Sequence, residues 1–354
     1  MRYLFIVQGE GRGHMTQAIA LHNILLKNGH EVIEILVGKN KEVTIPSYFI
    51  EKITCNVEAF DSPNLLPNDK NQEVSILKSV IQTFKKSPRF LNSFRFLEKK
   101  IEEHQPDVVI NFYELIIGLL FEIKRPKVQF ICIAHQYFFL HPHFRFSVSR
   151  KTGIAAFLYY SKLTCRKADK ILALSLGSQP RYSSRKITVV PPLIRDEVFQ
   201  LEPEEGDFIL GYMVNTAFED QVMHWHDNHP EQPLHFFSDR KQQEETEILD
   251  FNLRFSKIND NHFLNNLARC KAYASTAGFE SICEAMYLGK PVMMVPAHIE
   301  QYCNMIDAGR AGAGIGNSCF NLDPLINFIH HYKPNPEFRK WAKSAEQKMI
   351  EQLT

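Results

Sequence analysis

Residues 275–304, STAGFESICEAMYLGKPVMMVPAHIEQYCN, carry hydroxyls, a glycine, carboxylates and amides at spacings that suit an anion followed by a polyol. Ser275, Thr276 and Gly278 close a strand and open a helix near Phe279. Unpaired backbone N–H groups and a partial positive charge at such a helix start attract a diphosphate. Ser281 adds a hydroxyl donor, and Glu284, on the first helical turns, is acceptor-only when ionised and suits the two hydroxyls of a ribose. Gly289-Lys290-Pro291 ends the helix, residues 292–295 form a buried strand, and Glu300 and Gln301 fall in the polar loop beyond it, where they could bond sugar hydroxyls. The order is that of a diphosphate, a ribose and a sugar, so a sugar nucleotide is the expected ligand. Glu280 fits poorly, since a carboxylate beside a diphosphate is repulsive unless it turns away.

A second constellation lies near the N-terminus: Gly9-Glu10-Gly11-Arg12-Gly13-His14, between the first strand and the first helix. Closely spaced glycines let a backbone approach a ligand and present amide donors. A dinucleotide fingerprint fails here, because GxGxxG needs glycine where His14 stands. Histidine, with an ordinary pKa near ~6.5, is the side chain best matched to proton transfer at neutral pH.

The elements that must position these groups alternate. RYLFIV, the glycine loop, and MTQAIALHNILLKNGHEVIEILVG read as strand, loop, helix and strand, a βαβ unit that builds a parallel sheet. FRFLEKKIEEHQ, PDVVINF, ELIIGLLFEI and KVQFICIAH continue the pattern, and DKILALSL and KITVVPPL are two further strands. Residues 191–206, PPLIRDEVFQLEPEEG, are proline-rich and acidic and mark a boundary before a second α/β series. The expected architecture is two doubly wound, Rossmann-like α/β domains facing a cleft, spanning 1–195 and 196–335, with residues 336–354 as a C-terminal helix that crosses back to the N-domain. Ligands of such sheets bind at the carboxyl ends of strands.

On these residues the chain resembles a known family. AGFESICEAMYLGKPVMMVPAHIEQYCNMIDAGRAGAG is similar to the donor-binding signature of GT-B glycosyltransferases, above all the bacterial group related to MurG and the UDP-glycosyltransferases. The resemblance implies that the turn at Ser275, Thr276, Gly278 and Ser281 holds the nucleotide diphosphate, Glu284 the ribose, and Glu300 with Gln301 the sugar, while Asn304 matches the asparagine that follows that pair. Thr276 replaces the phosphate-binding histidine of relatives with HxGG at the turn. The glycine loop resembles the acceptor-facing loop of the same group. His14 is then the general base, and Gly11, Arg12, Gly13 and His135 line the acceptor or phosphate side. Relatives often orient the base with an Asp after PDxVIS; here Asn111 and Phe112 stand at that point, and Glu114 is the nearest acid.

The expected reaction is metal-independent, inverting transfer of a sugar, from a UDP-sugar by preference, to an acceptor hydroxyl on a glycan or lipid-linked acceptor of the cell envelope. No cofactor is implied. A sugar-nucleotide epimerase on the same fold and a non-catalytic nucleotide-sugar-binding subunit stay open as alternatives. No Asp-x-Asp occurs in the chain, and His224, His226 and His229 lack the helical spacing or cysteine companions of a metal site.

Composition bounds the rest. The 354 residues are 44% hydrophobic and 23% charged, with a net charge of +1. Residues 1–195 carry a net +12 and residues 196–354 a net −11, so different partners are expected for the two halves. Cations interleaved with phenylalanines, Lys85 to Lys100 and His143 to Lys170, suit peripheral contact with an anionic membrane at its inner face better than nucleic acid. No run reaches the roughly 18 to 20 apolar residues of a span. Seven scattered cysteines, never paired as CxxC, suit reduced thiols and a cytoplasmic protein.

Overall fold

The computed structural model describes all residues except 41–43, 63–87, 147–152, 214–217 and 239–244. It divides into two compact units, residues 1–195 with 343–354, and residues 196–342.

Unit 1 runs β1 (Arg2–Gln8), α1 (Gly13–Lys27), β2 (Glu31–Lys39), α2 (Ser47–Lys52), β3 (Asn56–Asp61), α3 (Pro88–His104), β4 (Val108–Phe112), α4 (Leu115–Lys124), β5 (Gln129–Ala134), α5 (Ile154–Thr164), β6 (Lys170–Leu174) and β7 (Ile187–Val190). The strands are nearly continuous apolar runs because both sheet faces are covered, as in β1, where Leu4, Phe5, Ile6 and Val7 are fully buried. Their order is β3-β2-β1-β4-β5-β6-β7, every pairing parallel. The order reverses between β1 and β4, so the loops leaving those two strands open a crevice at a topological switch point. His14 follows one of them and Glu114 the other.

Unit 2 runs β8 (Ile209–Met213), α6 (Glu219–Asp227), β9 (Leu234–Ser238), β10 (Thr246–Ile248), β11 (Leu253–Lys257), α7 (Asp260–Arg269), β12 (Ala272–Ser275), α8 (Phe279–Tyr287), β13 (Val292–Met294), α9 (Ile299–Arg310), β14 (Gly314–Gly316), α10 (Asp323–Ile329) and α11 (Pro336–Lys343). The order is β10-β11-β9-β8-β12-β13-β14, with only the edge strand β10 antiparallel. Its switch point lies between β8 and β12, and the turn after β12 is the Ser275 segment. Gly211 is required inside β8, since a Cβ there would stand 1.9 Å from the Phe236 ring.

The helix expected over residues 336–353 is two helices. It breaks at Ser344, and α12 (Ala345–Leu353) belongs to unit 1. The apolar faces explain the break: Phe338 and Ala342 are buried in unit 2, whereas Met349 and Leu353 are buried against unit 1. There Tyr3 donates its hydroxyl proton to the Leu353 carbonyl (3.1 Å), and Lys27 meets Glu346 at 2.6 Å.

Candidate functional site

In unit 2, β12 delivers Ser275 to the switch point, and the chain turns through Thr276, Ala277 and Gly278 into α8. Ala277 sits in the left-handed region at φ 62°, unusual for a residue with a Cβ. Two side chains hold it there. The Ala277 N–H donates to Ser275 Oγ (3.2 Å), and its carbonyl accepts from Asn304 Nδ2 (3.0 Å), an amide that reaches over from α9. Gly278 is the N-cap and, having no side chain, makes no side-chain cap bond to the start of the helix. Ser281 donates to the Gly278 carbonyl at 3.2 Å. Glu284 is 1% exposed, a buried carboxylate rather than a solvated one. Ser275 and Thr276 are buried as well.

Glu300 and Gln301 lie on the first turn of α9, not in the loop expected from sequence. Ile299 and Cys303, buried at i and i+4, give that segment an apolar face, which extends the helix back to His298. Gln301 turns its carbonyl oxygen back to accept from the Ala297 N–H (2.8 Å), a helix-start bond of the capping-box kind. Asn304 lies one turn further on the same helix, so α9 carries all three polar residues, and Asn304 ties the helix to the turn after β12. The two cysteines among them are inert: burial pushes the Cys303 thiol up to about 12, with Glu300 and Asp307 adding to the shift, and burial pushes Cys283 up as well.

In unit 1, Gly9 lies so close to β2 that a Cβ would stand 2.8 Å from Val37, and its N–H donates to the Gly38 carbonyl (2.7 Å). Gly11 adopts φ +89° with open space around it. Arg12 is the N-cap of α1, its guanidinium 5.5 Å from the centre of the Tyr48 ring. Gly13 begins α1, and His14 follows, 6% exposed. The His14 ring stacks with Tyr113 (centroids 5.4 Å) and with His135 (6.2 Å). Its Nδ1 lies 3.3 Å from Gln17 Oε1, and its Nε2 lies 3.2 Å from Gln136 Nε2. Thus β1, β4 and β5 bring His14, Tyr113, His135 and Gln136 together.

Glu114 is not placed as the acid that orients His14. It is the N-cap of α4: one oxygen accepts from the Ile117 N–H (2.9 Å) and the other from Ser62 Oγ (2.6 Å). It is fully buried against β2, where only Gly38 leaves room, since a Cβ there would stand 3.0 Å from Glu114 Cγ. Burial pushes its carboxyl up, against the bonds from Ser62 and the first-turn amides of α4. Asn111 is a strut: its carbonyl accepts from the Glu114 N–H (2.7 Å), and its amide donates to the carbonyls of Thr164 (2.8 Å) and Glu114 (3.0 Å). Sequence reasoning missed Gln17 and Tyr113. Gln17, fully buried on α1 one turn after His14, was the available signal.

The histidines of unit 2 are engaged elsewhere. His226 Nε2 lies 2.8 Å from Asp250, and His229 stacks on Trp225, which donates to Asp323 (2.9 Å). Among the described residues no three His, Cys, Asp or Glu side chains are grouped to hold a metal ion. All seven cysteines are free thiols. Of the basic aromatic stretches, Lys85, Lys86, Arg150 and Lys151 lie outside the described residues. Arg89, Arg95 and Lys99 are exposed on α3, while Lys100 turns inward to Glu34 (2.8 Å) and Glu58 (2.7 Å). Among the described residues no helix is long and apolar enough to cross a membrane.

Two doubly wound units, the second with an uncapped helix N-terminus above a buried glutamate, form the GT-B glycosyltransferase fold. Solved structures of that class align over nearly the whole chain. UGT89C1 of Arabidopsis thaliana, complexed with UDP, is 13% identical over 99% of this chain and 98% of its own, with a TM-score of 0.63. The glycosyltransferase VinC in complex with dTDP is 15% identical over 100% and 98%, TM-score 0.62. The spinosyn rhamnosyltransferase SpnG is 13% identical over 99% and 96%, TM-score 0.59. No curated protein matches the chain in sequence. The profile of glycosyl transferase family 1 matches residues 1–332, and the chain belongs to that family; it is a glycosyltransferase.

Proposed function

We propose that the protein transfers a sugar from a nucleoside-diphosphate sugar, a UDP-sugar by preference, to an acceptor hydroxyl with inversion and without a metal ion. The observation that carries this reading is the Ser275–Ser281 turn: an uncapped helix start at a switch point, its left-handed Ala277 held by Ser275 and Asn304, with Glu284 buried beyond it. The amides of α8 take the diphosphate, Glu284 the ribose, and Glu300, Gln301 and Asn304 the sugar. As the glycosidic bond breaks, negative charge gathers on the diphosphate, where the helix start stabilises it most, in place of a cation. His14 Nε2 takes the acceptor proton. The ligands of the similar structures, UDP in UGT89C1 and dTDP in VinC, support a pyrimidine nucleotide. A glycan or lipid-linked acceptor, with peripheral contact to anionic lipid through Arg89 and Arg95, is in keeping with the net +12 of residues 1–195.

Thermal unfolding against UDP, dTDP, GDP, ADP and their glucose conjugates tests the donor half. Binding at ~100-fold above Kd adds about 2.7 kcal/mol of stability, a clear shift. UDP or dTDP should give it and GDP or ADP should not; the reverse pattern sinks the pyrimidine preference. Undiminished transfer after exhaustive chelation is expected. Release of epimerised sugar without acceptor would replace transfer by epimerisation.

A further inference from the structure

As Gln17 and Gln136 are oriented, the two bonds at the His14 ring call for one tautomer. Gln17 presents its carbonyl oxygen to Nδ1 (3.3 Å), and a carbonyl can only accept, so Nδ1 carries the hydrogen. Gln136 presents its amide nitrogen to Nε2 (3.2 Å), and an amide N–H can only donate, so Nε2 holds the lone pair. One neutral tautomer satisfies both. Stacking with Tyr113 and His135 restrains the plane of the ring, and Gln17 and Gln136 are 0% and 1% exposed, so neither amide is a solvated, freely rotating group. Glu114, the acid nearest in sequence, directs its oxygens to Ser62 and Ile117 instead.

We propose that Gln17 is the positioning residue for His14, holding the proton on Nδ1 so that Nε2 can act as base, and that the acceptor hydroxyl takes the place of the Gln136 amide at Nε2. This rests on the reading of His14 as general base. In the step so defined the acceptor O–H proton passes to Nε2, the acceptor oxygen bonds the anomeric carbon, and the anomeric C–O bond breaks with its electron pair leaving on the diphosphate. The imidazole then carries both protons while Nδ1–H still points at a neutral carbonyl. A carboxylate in place of that carbonyl would favour the imidazolium. The tunable group in this site is therefore an amide on α1, one helical turn from the base.

Nitrogen-15 NMR of the His14 imidazole through a pH titration tests this without any substrate. The wild-type protein should show Nδ1 protonated and Nε2 bare at neutral pH. Gln17→Glu should raise the imidazole midpoint by at least about one unit, as an opposite charge at this range does. Gln17→Leu should leave a mixture of tautomers. The other titratable groups facing the ring, Tyr113 and His135, are unchanged in these variants. A wild-type ring protonated on Nε2, or a midpoint in Gln17→Glu equal to wild type, overturns the proposal. Should Gln17→Leu fail to fold, the wild-type spectrum and Gln17→Glu still decide it. The base reading is judged separately, by UDP release from UDP-glucose: a rate in His14→Ala equal to wild type removes His14 from the chemistry, whatever its tautomer.

Discussion

The loops that follow β1 and β12 occupy the same place in their own sheets, a switch point leading into a helix, yet they are built in opposite ways. The first gets its left-handed residue from a glycine, Gly11, with open space about it, and places His14 just inside the helix. The second forces an alanine, Ala277, into the left-handed region and holds it with Ser275 and Asn304 at the start of α8. The role proposed for the first falls on the His14 side chain, whose ring is held by stacking and by two glutamines rather than by the loop. The donor site proposed for the second works through backbone amides, whose direction the turn itself sets.

The sharpest break of this comparison comes from His14→Ala. Loss of a general base should lower turnover by roughly 10²–10⁴-fold while leaving nucleotide affinity unchanged. Initial rates with UDP titrations read both quantities. Weakened UDP binding in this variant would mean that the loop after β1 also serves the donor.

Glu284→Ala should do the converse. Removing the buried carboxyl group proposed to hold the ribose should cost about 1.5–3 kcal/mol, or ~10–100-fold in UDP affinity, measured by calorimetry. Unchanged UDP affinity in Glu284→Ala would show that the glutamate has another task.

The two units should also separate in acid. His235 of unit 2 is buried between Asn266 and Ser256, and burial, with Arg254 nearby, lowers its pKa from 6.5 to about 4. The unfolded chain binds that proton more readily, so stability is fully present above pH 6.5 and is lost as pH falls towards 4, by roughly 3 kcal/mol at ~1.36 kcal/mol per unit. In unit 1, burial alone would raise the Glu34 carboxyl, but bonds from Lys100, Asn56 and His104 outweigh it and hold the pKa below 4.5, so its contribution fails only in stronger acid. His22 pushes unit 1 the same way as His235, burial again lowering its pKa. Hydrogen exchange at pH 7 and pH 5 should show protection falling more in β9 and β11 than in β1 and β2. Equal loss in both sheets would remove His235 as the acid-sensitive point.

The sequence made the sheets legible because parallel strands covered on both faces are long apolar runs, and it made the strand-turn-helix at Ser275–Phe279 legible because a strand end, Gly278 and an apolar helical run follow one another directly. What it hid depended on partners distant in the chain. Nothing local marks Ala277 as left-handed; the amide that holds it is Asn304, 27 residues on. Glu114 looked like an available acid because its partner Ser62 lies 52 residues earlier. Glu300 and Gln301 looked like loop because two adjacent polar residues soon after Pro296 obscure the Ile299–Cys303 face that makes them helical.

The smallest test addresses the contrast between the two turns most directly. Gly11 at φ +89° has nothing within 4 Å of the point where a Cβ would stand, so Gly11→Ala meets no clash and pays only the left-handed strain, about 1–2 kcal/mol. Ala277→Gly relieves strain of the same kind but removes a fully buried methyl, about 0.8 kcal/mol, and gives the unfolded chain more freedom. The expected pair of results is therefore a measurable loss for the first and a change near zero for the second, read from urea unfolding midpoints. UDP affinity should divide them the other way. Gly11→Ala leaves it alone, whereas Ala277→Gly lowers it, because a turn held by Ser275 and Asn304 alone no longer has the alanine's own stiffness to aim the amides of α8. If Ala277→Gly keeps full UDP affinity, the two side-chain bonds suffice to set the turn, and the left-handed alanine is incidental to binding.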